Sequence, residues 1–157
     1  MIAYIGIDPG KSGGVAITDG VTISAWKMPA SPHDLAALLR DLDGARVAVV
    51  EKVASSPQMG VKSAFTFGQG YGTLLGVLSA LQIRVETVAP LKWQKAMGCM
   101  SGGDKGVTRA AALRLWPRGP DPWLHEACSV IPDHATKITH ATADAMLIAE
   151  WARRAGL

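Results

Sequence analysis

Short apolar runs, rich in β-branched residues, recur along this chain and are separated by segments with helical periodicity. Five runs predict strands: residues 2–8, 13–19, 21–27, 47–50 and 84–88. The pair Asp19-Gly20 between the second and third runs is a hairpin signal. The first three strands therefore form a predicted meander, whereas the last two alternate with helices.

Five segments have the spacing or the terminal residues of helices. The first segment begins at Ser31 and ends before Asp43-Gly44, and the other four cover 63–82, 90–97, 104–116 and 139–155. Ser31 with Pro32, and Asp104, are predicted helix starts, and Gly156 is a predicted C-terminal cap. The order predicts an α/β fold in which a five-stranded mixed sheet is flanked by helices. With no repeat or linker, residues 1–157 form one predicted domain, and the Pro-rich segment 117–133 is a predicted loop or lid.

Composition narrows the class of protein. The 157 residues are 48% hydrophobic and 18% charged, which indicates a globular chain. A net charge of +3 fits a polyanionic partner or an ordinary basic surface. Cys99 and Cys128 form no CxxC pair, so neither a zinc site nor a disulfide framework is expected. No apolar run reaches membrane-spanning length and no signal peptide is evident, so we expect no membrane partner and a cytoplasmic location.

Four scattered residues suggest one metal site: Asp8, Glu51, His140 and Asp144. Asp8 and Glu51 each end an apolar strand, and side chains at the carboxyl ends of parallel neighbours would lie side by side. His140 and Asp144 are four residues apart and share one face of the last helix. Three carboxylates would repel one another without cations, which favours Mg²⁺ or Mn²⁺ and phosphoryl chemistry. The alternative for Asp8 is a turn aspartate, and that for Glu51 is a solvated strand end. His140 could instead be a capping or surface histidine, and Asp144 could lie on a solvated helix face.

Basic and glycine-rich segments suggest an anionic ligand. The basic residues are Lys62, Lys92, Lys95, Lys105 and Arg109. Lys105 and Arg109 lie near a helix N-terminus, which favours phosphate, although scattered solvated charge is the alternative. The predicted helix 63–82 contains four glycines, which indicates a close approach to the sheet, a partner or a ligand unless its first turn frays. Phe65, Phe67 and Tyr71 could stack on bases, but their spacing fits helix packing equally well, and the two phenylalanines are expected in the core. GIDPGKSGG is not a P-loop, so no nucleotide cofactor is expected.

Several blocks together resemble the RuvC-like Holliday-junction resolvases of the ribonuclease H-like superfamily, in a phage and bacterial branch related to the plant chloroplast resolvase. The blocks are GIDPGKSGG, EKVASSPQMGVKSAFTFGQGYGTLLG, PLKWQKAMG, GGDKGVTRAAALRLWP and HATADAMLIAEW. They cover nearly the whole chain. The resemblance implies a ribonuclease H-like fold and a metal-dependent, structure-selective endodeoxyribonuclease that resolves four-way junction DNA by paired symmetric nicks.

The resemblance also implies site residues and partners. It implies a homodimer and two Mg²⁺ ions per site, which Mn²⁺ can replace. The implied catalytic residues are Asp8, Glu51, His140, Asp144 and Lys105, of which all but Lys105 would hold metal. The implied DNA-binding residues are Pro57, Gln58, Met59, Lys62, Lys92, Lys95, Lys105 and Arg109. The host would be a bacterial or phage-infected cell.

One departure concerns the last helix. The better-known bacterial resolvases have two acidic residues three apart there, whereas residue 141 is alanine and the candidate partner of Asp144 is His140. Imidazole is softer than Mg²⁺ prefers, so proton transfer or phosphate contact is favoured over ligation. The alternatives are another ribonuclease H-like nuclease acting on branched DNA or RNA–DNA hybrids, a junction-binding protein that does not cut, and, remotely, an actin-like phosphotransferase.

Overall fold

The computed structural model describes residues 3–42, 45–121 and 135–157. Five strands within these ranges form one mixed sheet in the order β3-β2-β1-β4-β5. They are β1 (Ala3–Asp8), β2 (Gly14–Thr18), β3 (Ile23–Lys27), β4 (Ala45–Glu51) and β5 (Arg84–Val88). The hairpins pair β1 with β2 and β2 with β3 antiparallel, while β1 with β4 and β4 with β5 are parallel. The predicted mixed sheet is confirmed.

Helices cover both faces of this sheet. They are α1 (Pro32–Asp41), α2 (Val61–Ala80), α3 (Pro90–Ala96), α4 (Lys105–Leu115) and α5 (His140–Arg154). One core lies under α1 and α2, and the other under α3, α4 and α5. Strand residues alternate between the two cores because successive side chains of a strand point to opposite faces.

The predicted helix starts are confirmed by their hydrogen bonds. The backbone N–H of Asp34 donates to Ser31 Oγ at 3.1 Å, with Pro32 at the first helical position. The N–H of Gly106 donates to Asp104 Oδ1 at 2.8 Å. Gly156 has a φ of +67°, as a glycine that follows a helix often does.

Helix α2 differs from its prediction in three ways. It starts at Val61, two residues early, so its four glycines lie in the helix interior and not in a frayed turn. A Cβ at any of Gly68, Gly70, Gly72 or Gly76 would meet no described residue within 4 Å, so of the predicted approaches to the sheet, a partner or a ligand, the approach to the sheet is wrong. The core assignment of Phe65 is also wrong, because this residue is 73% exposed.

Part of the predicted loop 117–133 and the predicted helix end at Asp43-Gly44 fall outside the described residues. On either side of the larger gap, the backbone N–H groups of Asp121 and Ala135 donate to the carbonyls of Ile23 and Ala25 on edge strand β3. In the described part of the chain, no helix combines the length and the apolar character needed to cross a membrane.

Candidate active site

Asp8 and Glu51 are neighbours at one edge and on one face of the sheet. Ile7 of β1 pairs with Val50 of the parallel strand β4, so the next residue of each strand is a carboxylate. Tyr4 of β1 and Val49 of β4 pack in the core under α5, and alternation places Asp8 and Glu51 on that same face. The prediction that these two side chains meet at the carboxyl ends of parallel strands is confirmed.

Helix α5 reaches this edge because two glycines let it approach the sheet. A Cβ on Gly6 would collide with the backbone oxygen of Ala145 and the backbone nitrogen of Ala149. A Cβ on Gly14 would collide with the carbonyl of Ala141. With glycine at both positions, the α5 backbone lies directly on β1 and β2, and the first turns of the helix come beside Asp8.

This contact brings Asp144 to the two strand-end carboxylates. Its Oδ1 atom is buried and makes no hydrogen bond to any described residue. A buried acceptor without a partner costs about 1–3 kcal/mol, more when it is charged. An oxygen in this condition can bind a cation or a donor from a ligand.

The charges of the three carboxylates interact. Burial, and then the charges of Asp144 and Glu51, raise the pKa of Asp8 from 3.8 to about 7, against the opposing effect of Lys105. Burial also raises the pKa of Glu51, and Asp144 adds to the effect, whereas Trp93 and Lys105 lower it. Carboxyl groups perturbed by burial and by one another are typical of functional sites.

Trp93 is a contact of the site that sequence patterns did not reveal. Its indole lies within the core, 0% exposed, and its Nε1 donates to Glu51 Oε2 at 2.7 Å. The two residues are 42 positions apart in the chain. Cys99 was likewise unassigned; it is buried, and burial followed by the charge of Asp144 raises the pKa of its thiol.

Lys105 supplies positive charge at the site. It is the first residue of α4, and its charge lowers the pKa of both Asp8 and Glu51. The side chain is exposed, so its ammonium group remains available to an anionic ligand.

His140 is the first residue of α5 and is exposed. It stands one helical turn before Asp144, on the same face, as the spacing predicted. Its role at the site remains a prediction.

The acidic side chains are not arranged as a preformed metal site. Across residues 3–42, 45–121 and 135–157, no group of three or more His, Cys, Asp and Glu side chains has the arrangement of a preformed metal site.

The predicted DNA-binding residues lie on three segments. Pro57 and Gln58 are exposed and Met59 is half-buried in the loop between β4 and α2, where Lys62 follows. Lys92 and Lys95 are exposed on α3, and the Lys92 ammonium lies 5.6 Å from the centre of a Trp151 ring. Arg109 is tied to the start of α5, because its Nε donates to the carbonyl of Ile138 at 3.0 Å.

Known proteins match this chain in fold and not in sequence. No family model and no curated protein match the chain. Thermus thermophilus RuvC in complex with a Holliday junction is 16% identical, with a TM-score of 0.58 over 99% of this chain and 97% of that one. A second structure of Thermus thermophilus RuvC is 17% identical, with a TM-score of 0.59 over 98% and 96%.

A viral protein shares the architecture. Fowlpox virus resolvase, solved with Holliday junction DNA, is 11% identical with a TM-score of 0.53 and full coverage of both chains. A mixed five-stranded sheet with helices on both faces matches these structures along their length. The chain therefore has the ribonuclease H-like fold of the RuvC-like Holliday junction resolvases.

Proposed function

We propose that this protein is a metal-dependent, structure-selective endodeoxyribonuclease that resolves Holliday junctions. The observation that carries the proposal is the meeting of Asp8, Glu51 and Asp144 at one sheet edge. Burial and neighbouring carboxylates raise the pKa values of Asp8 and Glu51, and the buried Asp144 Oδ1 has no hydrogen-bond partner among the described residues. A cluster of this kind is stabilised by cations and suits chemistry on an anionic phosphodiester.

The donor set fits divalent cations. Three carboxylates are hard oxygen ligands, which Mg²⁺ and Mn²⁺ prefer, and Asp144 Oδ1 is free of competing hydrogen bonds from the described residues. Asp8, Glu51 and Asp144 would hold two such ions, with His140 as an additional ligand or a proton carrier. When bound, the ions would activate a water and stabilise the leaving 3′ oxygen of an in-line displacement.

The chain's own residues would prepare the phosphodiester for attack. Lys105 at the start of α4 would pair with the scissile phosphate. Its charge already lowers the pKa values of Asp8 and Glu51. His140, exposed one turn before Asp144, would contact the phosphate or carry a proton. Trp93 would keep the Glu51 carboxylate in one orientation.

The structural relatives support a four-way junction as the substrate. RuvC and fowlpox resolvase share this fold and were each solved with Holliday junction DNA. The loop with Pro57, Gln58 and Met59 would enter the junction centre. Exposed lysines would bind the DNA backbone: Lys92 and Lys95 from α3 along the arms, and Lys62 at the start of α2.

A homodimer would present two such sites to the two-fold symmetric junction and produce paired nicks. The leucines of α2 do not offer this contact: Leu74 and Leu78 are buried in the core of their own subunit, and Leu75 is half-buried. The free face of α2 instead carries Val61 and Phe65, 88% and 73% exposed, followed by Gly68, Gly72 and Gly76 at a spacing of four. We propose that these five residues, the glycine stripe, pack against the same stripe of a second copy.

Cleavage of matched substrates tests the activity. The full-length protein should cut a four-way junction in Mg²⁺ or Mn²⁺, and leave a linear duplex of the same sequence intact. Preferential cutting of a flap or of an RNA–DNA hybrid would indicate a different nuclease of this fold. Tight junction binding without product at any concentration of either ion would indicate a binding protein.

A further inference from the structure

A groove of about 980 Å³ opens beside the carboxylate edge, on the opposite face of the sheet from α5. One wall is the turn Pro9-Gly10-Lys11, which directly follows Asp8. The second wall is the segment 28–32 that leads into α1, and the third is the N-terminal half of α2. The groove therefore begins within three residues of the proposed catalytic carboxylate.

The rim of the groove is positively charged. Lys11 on the first wall and Lys62 on the third are both exposed, and none of the described residues that line the groove is acidic. Helix α2 begins at Val61 with Gly60 as its N-cap and with no side chain that caps the first turn. Uncapped N–H groups and the positive end of the helix dipole therefore add to the field of Lys62.

The floor of the groove is apolar and contains an aromatic ring. Met28, Leu35 and Leu74 line it together with Phe67, whose ring edge would lie 3.5 Å from a Cβ at Gly10. Phe67 is half-buried and so presents part of its ring to the groove. An aromatic floor under a basic rim is the combination with which proteins bind unpaired strands, because bases stack on rings while phosphates meet lysines.

We propose that this groove binds an unpaired stretch of the junction strand next to the scissile phosphate. The inference rests on the proposed function and adds the strand path to it. Lys11 and Lys62 contact phosphates on either side of the groove, and a base from the crossover stacks on Phe67. The groove thus explains how a four-way junction is distinguished from a duplex, whose stacked bases cannot enter an apolar channel.

A second copy of the chain is the other candidate occupant, and the faces of α2 argue against it. The groove is lined by Lys62, Thr66 and Gly70, at spacings of four, whereas the glycine stripe runs through Phe65, Gly68 and Gly72. At 100° per residue the centres of these two rows lie about 130° apart around the helix. Dimerisation through the stripe therefore leaves the groove open to DNA.

The test measures junction binding by the full-length protein in Ca²⁺, with salt as the variable. Lys11→Gln combined with Lys62→Gln should weaken binding roughly tenfold in 0.1 M salt and reduce the log–log salt slope by about 1.4, or about 0.7 for each lost phosphate contact to a single strand. Arg40→Gln is the matched control. Arg40 is exposed on the last turn of α1, at the opposite edge of the sheet, and its removal should change neither quantity.

A fluorescent base reports the stacking step. With 2-aminopurine at the crossover, wild-type protein should quench the fluorescence, and Phe67→Leu should restore it while retaining most of the affinity. Equal salt slopes for the double variant and Arg40→Gln, or quenching that survives Phe67→Leu, would overturn the groove assignment even if junction cleavage is normal. A shift of the double variant from dimer to monomer would assign the groove to a second copy. Failure of the wild type to bind the junction would overturn the proposed function and this inference with it.

Discussion

The indole of Trp93 donates a hydrogen bond of 2.7 Å to Oε2 of Glu51. The donor lies in the core under α3, α4 and α5, whereas the acceptor stands at the carboxyl end of β4, so the bond links the packed interior to the carboxylate cluster. A neutral donor of this kind holds one carboxylate oxygen and leaves the other for a further ligand. Partners of metal ligands commonly orient them in this way.

Replacing Trp93 by phenylalanine should therefore weaken metal binding while retaining most of the core. We expect a loss of roughly 10–100-fold in Mn²⁺ affinity, the range for removal of a hydrogen-bonded partner of a ligand. Isothermal titration of the protein with Mn²⁺ measures this loss without substrate. Trp26→Phe is the matched control, because Trp26 is equally buried but lies in the core on the other face of the sheet. Similar Mn²⁺ affinities for the two variants would remove Trp93 from the site.

The raised pKa of Asp8 makes the stability of the metal-free protein depend on pH. An acid with a higher pKa in the folded than in the unfolded chain binds its proton more tightly when folded. Its stabilising contribution is complete below 3.8 and is lost as the pH rises through about 7. In EDTA, Asp8→Asn should therefore stabilise the protein at pH 8 by about 2–4 kcal/mol. Urea unfolding at pH 5 and pH 8 measures the effect.

Asp19→Asn supplies the control of opposite sign. Although burial opposes the effect, hydrogen bonds from Thr22 and Val21 lower the pKa of Asp19, so its ionised form stabilises the hairpin. Its replacement should destabilise the protein at pH 8. If Asp8→Asn were also destabilising at pH 8, the carboxylates would not be repelling one another as described.

The strand ends could be predicted from the sequence, because a strand is recognised by the apolar pattern of its own residues and ends where that pattern ends. Asp8 and Glu51 end apolar runs, and they would meet only if their strands were parallel neighbours, which the structure shows. Phe65 was misplaced because an apolar residue on a helix packs inward only if that face meets the core, and the N-terminal half of α2 extends past it. The bond between Trp93 and Glu51 had no sequence signal beyond a tryptophan in a short helix after β5.

The close approach of α5 to the sheet has a signal in the sequence, the glycine Gly6 inside the first strand. Gly6→Ala should push α5 off β1, because the new methyl group would overlap the backbone at Ala145 and Ala149. We expect a loss of about 2–4 kcal/mol in stability, in the range of severe overpacking, and a loss of metal binding as Asp144 moves away from Asp8. Chemical unfolding and Mn²⁺ titration measure the two effects.

Gly60→Ala is the control for that experiment. A Cβ at Gly60 would meet none of the residues that the structure describes within 4 Å, and the φ of −60° at this position suits alanine. This variant should bind Mn²⁺ like the wild type. Normal metal binding by Gly6→Ala would show that α5 need not lie on β1 for the carboxylates to cooperate.

The glycine stripe predicts how the proposed dimer forms. Gly72→Leu should give a monomer at concentrations at which the wild type sedimenting in an ultracentrifuge is a dimer, because the added side chain separates the two α2 backbones. Within one subunit a Cβ at Gly72 would meet no described residue within 4 Å, so the fold should survive. Ser63→Leu, at an exposed position on the opposite side of α2 from the glycine stripe, should remain dimeric. A dimeric Gly72→Leu variant would place the interface elsewhere.

The central claim is that Asp8, Glu51 and Asp144 act together, with divalent ions, to cut a junction. The most direct measurement compares the wild type with Asp144→Asn on an end-labelled four-way junction, with cleavage followed in Mg²⁺ or Mn²⁺ and binding followed in Ca²⁺. The account predicts two symmetric nicks by the wild type only when Mg²⁺ or Mn²⁺ is present, and no product from Asp144→Asn despite undiminished junction binding. Cleavage by Asp144→Asn at the wild-type rate, or by the wild type in EDTA, would contradict it.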